Sequence, residues 1–138
     1  MKQLIILLIT MPLLLLNLDC IAQKRNRERE ARNKIEQLPE VKDFLRKTPK
    51  EYRPIVEPDG GPTKGDNYYR YSLMTVDDGW IRTSMTFYVE ARTMQIYFWD
   101  YNGYDRELVT LKEWRYWRTK PVWEQLHHFV NGKMVPVD

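Results

Sequence analysis

The two adjacent histidines, His127 and His128, are the only imidazoles in the chain, and Glu124 stands four residues before His128. On a helix, Glu124 and His128 would share a face, whereas His127 and His128 would diverge by about 100° and could not converge on one ion. No third ligand accompanies them, so a surface or structural role is expected and no metal is assigned. The stretch Asp100-Tyr101-Asn102-Gly103-Tyr104-Asp105-Arg106-Glu107 offers oxygen atoms at alternating places. Its glycine is misplaced for a calcium loop and it lacks the closing bidentate glutamate, so it reads as a polar turn. Ser72 and Ser84 are the only serines, and both fall inside expected strands without a flanking Gly motif. The acidic pairs Asp77-Asp78 and Glu28/Glu30 sit in a turn and on a solvated helix, where no carboxyl is driven toward general-acid duty. These residues point away from an enzyme, and no cofactor is implied.

The residues that do suggest a function are aromatic. Tyr97, Trp99 and Tyr101 alternate and therefore share one strand face, opposite Ile96 and Phe98. Tyr69, Tyr71 and Tyr88 join one face or the other according to strand register. If Asp78-Gly79 alone forms the turn, Tyr71 opposes Thr86 and faces away from Phe87; a three-residue turn would bring Tyr71 opposite Phe87 and inward. An exposed row of Tyr and Trp offers large contact area at low entropic cost and suits a protein or glycan partner. The competing expectation is that a C-terminal helix carrying Trp114, Trp117 and Trp123 covers that row as core.

The elements that would position these rings follow from periodicity. Ile35, Leu38, Val41 and Phe44 with Leu45 recur at helical spacing, with a start or kink near Leu38 because Pro39 suits a first helical turn, and Thr48-Pro49 ends the run. Residues 24–37 are almost wholly charged or amide and read as a polar helical lead-in. Tyr52 to Glu57 reads as an edge strand because of Pro54, and residues 58–66 as a loop. Asn67 to Asp77, Ile81 to Val89 and Gln95 to Tyr101 read as strands, with Asp78-Gly79 a hairpin turn. On the middle strand Ile81, Met85, Phe87 and Val89 are expected on one face. Thr110-Leu111-Lys112-Glu113 fits a capping box opening a helix through Trp114 and Trp117. Val122, Leu126, Phe129 and Val130 extend an apolar helical side beyond Pro121, until Asn131-Gly132 stops it. The expected fold is α+β: an N-terminal helix, an antiparallel meander of about four strands, and a C-terminal helix.

The amino terminus is an address. Met1-Lys2 precedes an apolar run from Leu4 to Leu16, which Asn17 and Asp19 close well short of the roughly 20 residues a spanning helix needs. Cys20 and Ala22 place small residues three and one positions before a cut after Ala22, leaving Gln23 as the new terminus. Lipidation at Cys20 is disfavoured, because Asp19 stands where a small residue belongs. An uncleaved anchor would place Lys24, Arg25, Arg27 and Arg29 against the positive-inside tendency. The division expected is therefore a signal peptide over 1–22, a lead-in over 23–34 and one domain over 35–138. The product would be periplasmic or secreted, without a stable membrane span after cleavage. Removal of the single Cys would leave a thiol-free protein, as an oxidising compartment favours.

The 138 residues carry 22 Lys and Arg against 19 Asp and Glu, a net charge of +3. The basic stretches Lys24–Arg32 and Lys112–Lys120 are interleaved with Glu, so solvated helix faces are expected and nucleic acid is not. No aromatic residue precedes Phe44, and with residues 1–22 removed the core must lean on aromatic rings and a few Ile, Leu, Val and Met.

Two local stretches resemble the PepSY-like domains of exported bacterial proteins. Leu38-Pro39-Glu40-Val41-Lys42-Asp43-Phe44-Leu45 is similar to the helix that opens such domains. Val89-Glu90-Ala91-Arg92-Thr93-Met94-Gln95-Ile96-Tyr97 looks like the family hairpin, and Leu108-Val109-Thr110-Leu111-Lys112-Glu113-Trp114-Arg115 resembles its closing segment. The resemblance spans roughly residues 35 to 118. It departs at Met94, where the family usually has Gly at a position favouring positive φ, so a different turn is expected there. The resemblance implies an extracytoplasmic binding or protease-restraining module of unknown protein partner, and it brings no catalytic residue. The alternative is a carbohydrate-contacting exported protein that uses Tyr97, Trp99 and Tyr101 as a stacking platform.

Overall fold

The computed structural model describes residues 22–104 and 108–137. The Leu4–Leu16 run and Cys20 therefore lie outside the described residues, as do Asp105, Arg106 and Glu107. Helix α1 (residues 22–36) stops where Leu38 turns extended (φ −59°, ψ 134°) to serve as N-cap of α2 (Pro39–Lys47), with Pro39 in its first turn. Proline lacks the N–H an unbroken helix would need there, so one helix becomes two at the expected kink.

The strands are β1 (Ile55–Gly60), β2 (Tyr68–Asp77), β3 (Trp80–Glu90), β4 (Ile96–Trp99) and β5 (Leu108–Thr110). They form one antiparallel meander in sequence order, followed by α3 (Leu111–Trp117). A separate hairpin, β6 (His127–Val130) with β7 (Lys133–Pro136), makes a two-stranded sheet. The expectation of a single sheet of about four strands with one helix at each end is thus corrected. There are three α-helices among the described residues, and the sheets have five and two strands.

The correction at the carboxyl end has a definite cause. Pro121 confines the next helical turn to a short 3-10 segment (Pro121–Glu124). Asn131 (φ 49°) and Gly132 (φ 72°) then form the left-handed pair of a two-residue hairpin instead of a helix stop. The apolar spacing over Val122–Val130 is helical by coincidence.

The core lies between the helices and one face of the meander. Ala31 and Ile35 of α1, Leu38, Val41 of α2 and Trp114 of α3 bury against Tyr69, Tyr71, Leu73, Phe87, Val89, Phe98 and Val109. Phe98 stacks on Trp114 at 4.4 Å between centroids and Phe87 meets both rings edge-on. Further bonds fasten α1 to the sheet: Arg27 Nη1 donates to the carbonyls of Ala91 (3.0 Å) and Arg92 (3.2 Å), and Tyr71 Oη donates to the Glu28 carbonyl (3.1 Å). Between α2 and α3, Arg115 forks onto both oxygens of Glu40 at 2.8 and 3.0 Å, which holds the Glu40 carboxyl below its usual range.

The register of β2 and β3 resolves the two alternatives for Tyr71 in a way neither anticipated. Asp78 (φ 41°) and Gly79 (φ 87°) form a two-residue turn, with Asp77 opposite Trp80 and Val76 opposite Ile81. Yet Tyr71 opposes Phe87 and is buried, because a bulge between Leu73 and Met74 inserts Ser84 into β3. One extra residue reverses the facing of everything beyond it. Ile81 therefore departs from the face of Met85, Phe87 and Val89 and stands 65% exposed.

Candidate functional site

The face of the meander away from the helices carries a connected set of rings. Cross-strand pairing puts Arg70, Tyr88 and Tyr97 in one row, with Thr110 beyond Tyr97 on β5. Tyr68 packs edge-on against Tyr88 and Tyr97, each at 5.9 Å between centroids, and Tyr88 packs edge-on against Trp99 at 6.2 Å. Trp99 and Tyr101 close the set at 4.7 Å with their planes only 32° apart. Edge-to-face packing suits the ring quadrupole and holds each ring at a fixed angle.

Tyr97 and Trp99 thus stand together on the face where alternation puts them. Tyr101 lies past the end of β4, and its ring returns over the same face. Tyr101 Oη lies 2.8 Å from Thr86 Oγ1, which is 3.2 Å from Ser72 Oγ, a short hydroxyl chain that pins the ring while leaving it 54% exposed. The expected alternative cover for this row, Trp114 with its helix, packs on the opposite face against Phe87 and Phe98. Trp123 likewise packs on Phe98. None of the five ladder rings belongs to the helix-side core.

Polar groups border the rings. Arg70 lies against Gly60, whose φ of 146° and missing side chain make room: a Cβ there would stand 2.7 Å from Arg70 Nη2. Arg70 Nε lies 4.0 Å from Asp66 Oδ2 and makes no hydrogen bond. Burial pushes the Tyr88 hydroxyl up, opposed by the adjacent Arg70 guanidinium, and burial beside Glu90 pushes Tyr97 up. Tyr88 and Tyr97 therefore present neutral hydroxyls at physiological pH.

Sequence reasoning missed a second polar assembly. His127 and Asp100 are both buried and joined by a 2.7 Å contact between Nε2 and Oδ2, while His127 Nδ1 donates to the Gln125 carbonyl at 2.8 Å. Asp100 Oδ1 accepts from the Asn102 N–H, and Asn102 Nδ2 donates to the Trp123 carbonyl. The backbone N–H of His127 donates to Asn102 and that of Tyr104 to His127. Asp100 and Asn102 thus lace the turn after β4 onto the C-terminal hairpin. Both ring nitrogens of His127 and both carboxyl oxygens of Asp100 are thereby engaged, and Tyr101 is presented from the middle of that turn. The signal available was Asn131-Gly132, which identifies a hairpin and so puts His127 and His128 on opposite faces of a strand.

Glu124 and His128 belong to the 3-10 segment and to β6, not to one helix. Among the described residues no group of three or more His, Cys, Asp and Glu is placed to hold a metal ion. No helix of the described residues is long and apolar enough to cross a membrane. Ala22 and Gln23 are exposed in the first described turn of α1. Comparison with protein-family models, with curated proteins and with solved structures finds no match to this chain.

Proposed function

We propose that the chain is an exported, non-enzymatic binding module whose open sheet face contacts carbohydrate, with sugar rings stacking on Trp99 and Tyr101. The observation that carries this reading is the pair of rings at 4.7 Å and 32° on a face that none of the described helices packs against. A pyranose presents an apolar C–H face that such rings take up, and its hydroxyls need donors and acceptors nearby. Arg70, Asp66, Glu90 and the Tyr68, Tyr88 and Tyr97 hydroxyls border the rings and supply both.

A protein-restraining role, as the hairpin resemblance implies, is the second reading. One observation favours it: Met94 takes up φ 58°, the left-handed conformation for which the resembled hairpin uses Gly. Met94 is buried in the core, which offsets the roughly 1–2 kcal/mol that a side chain costs there.

Glycan-array binding with the full chain separates these readings, followed by titration of the best glycan against wild type and Trp99→Ala. Carbohydrate contact predicts saturable binding that falls by about tenfold or more in Trp99→Ala, equivalent to one lost ring contact. An array without retained glycan, or undiminished binding by Trp99→Ala, contradicts it.

A further inference from the structure

The strand β3 is longer than its neighbour on one side. All of it except the bulged Ser84 pairs with β2, but β4 pairs only with Phe87–Val89. Among the described residues no strand pairs with Trp80–Met85 on the side away from β2. The two-residue turn closes on the Asp77–Trp80 pair, so Trp80 and Arg82 direct their backbone groups to β2, and Ile81 and Thr83 direct theirs outward. Trp80 is 75% and Ile81 65% exposed, at the open end of this edge. A concave pocket of about 500 Å³ meets the other end, with Phe44, Pro49 and Met85 as apolar lining and Lys47 and Arg118 at its border.

We infer that the Trp80–Met85 edge of β3 is a second binding site, which takes an extended peptide of a partner protein as an added strand. The hydrogen-bonding pattern selects the occupant. Outward N–H and C=O groups in strand spacing are matched by another extended backbone and by no globular side-chain surface. Alternate side chains of such a peptide face the helix side, where an apolar residue enters the Phe44, Pro49 and Met85 pocket. The charges bordering that pocket are already engaged, Lys47 with Asp43 at 2.7 Å and Arg118 with Glu40 at 3.7 Å. Apolar fit and backbone pairing therefore set the preference, not net charge. The site is separate from the aromatic ladder, whose residue on this strand is Tyr88.

A displayed library of short linear peptides, panned against the full chain, tests this. The expected result is enrichment of peptides that alternate an apolar residue with a second residue type. A synthetic copy of the enriched sequence should slow hydrogen exchange at the Ile81 and Thr83 amides. Thr83→Pro removes one outward N–H without touching the β2 ladder, and should weaken that peptide by at least about tenfold. Ile81→Lys provides a second variant that retains every backbone donor and should weaken the peptide less. Far-UV circular dichroism and melting temperature establish that each variant is folded. Absence of enrichment, protection elsewhere than Ile81 and Thr83, loss of the peptide in Trp99→Ala, or pairing of this edge with a second copy of the chain in sedimentation would each overturn the assignment.

Discussion

The two faces of the five-stranded sheet are built from the same residue types and end in opposite states. On β2, Tyr69 and Tyr71 are buried under α1, while Tyr68 between the same strands' other faces joins the open ladder. On β4, Phe98 stacks on Trp114 while its neighbours Tyr97 and Trp99 remain on the uncovered side. Strand alternation alone separates the two sets. Composition therefore says little about which rings are structural; the helices decide, by covering one face and leaving the other.

That contrast predicts unequal costs. The largest effect on stability belongs to Phe87→Ala on the covered face, where the ring is fully buried between Phe98 and Trp114; a loss of about 3–5 kcal/mol in denaturant unfolding is expected. A cost below about 1 kcal/mol would show that this face is not the main core. His127→Ala comes next, at about 3 kcal/mol, because it leaves the buried Asp100 carboxyl without its partner. A near-neutral result would mean that the carboxyl finds water in the vacated space.

Tyr71 gives a smaller, pH-dependent effect. Burial, reinforced by Glu28, pushes its hydroxyl up to about 12, above the unfolded value of roughly 10. The unfolded chain therefore gives up this proton first. The contribution is complete below pH 10 and is lost as pH rises toward 12. Tyr71→Phe should cost about 1 kcal/mol at neutral pH through the lost bond to the Glu28 carbonyl, and should make the alkaline decline in stability less steep. An unchanged alkaline slope would place the decline on other tyrosines. Trp99→Ala is comparably mild on stability, since its partly exposed ring leaves no sealed cavity; it should cost about 1 kcal/mol while removing glycan contact.

Much of this architecture is legible in the residues. The Thr110–Glu113 capping box forms as its spacing implies, with the Thr110 side chain accepting from the Glu113 N–H and the Glu113 carboxylate accepting from the Thr110 N–H. Asp78-Gly79 makes its turn, and alternation over Gln95–Tyr101 correctly separates Phe98 from Tyr97 and Trp99. Three features escape. The bulge at Ser84 leaves no mark in a polar run such as Arg82-Thr83-Ser84, yet it inverts the facing of Ile81. The three residues of β5 are too few to show a period. The last hairpin was hidden by a chance helical spacing of Val122, Leu126, Phe129 and Val130, although Asn131-Gly132 carried the opposite signal. For the ladder, alternation could identify Tyr97 and Trp99, but their openness depends on where α3 docks, and that is decided by Phe87 and Phe98 on the other face. Tyr68 enters only through cross-strand contact, and Tyr101 only through its hydroxyl contact with Thr86.

The most direct measurement is an NMR titration of the indole N–H resonances with the glycan selected by array. Glycan stacking should shift the Trp99 resonance in proportion to saturation, while that of Trp114, buried on the covered face, stays in place. A shift at Trp114 with Trp99 unmoved, or saturation that leaves both unmoved, would contradict it.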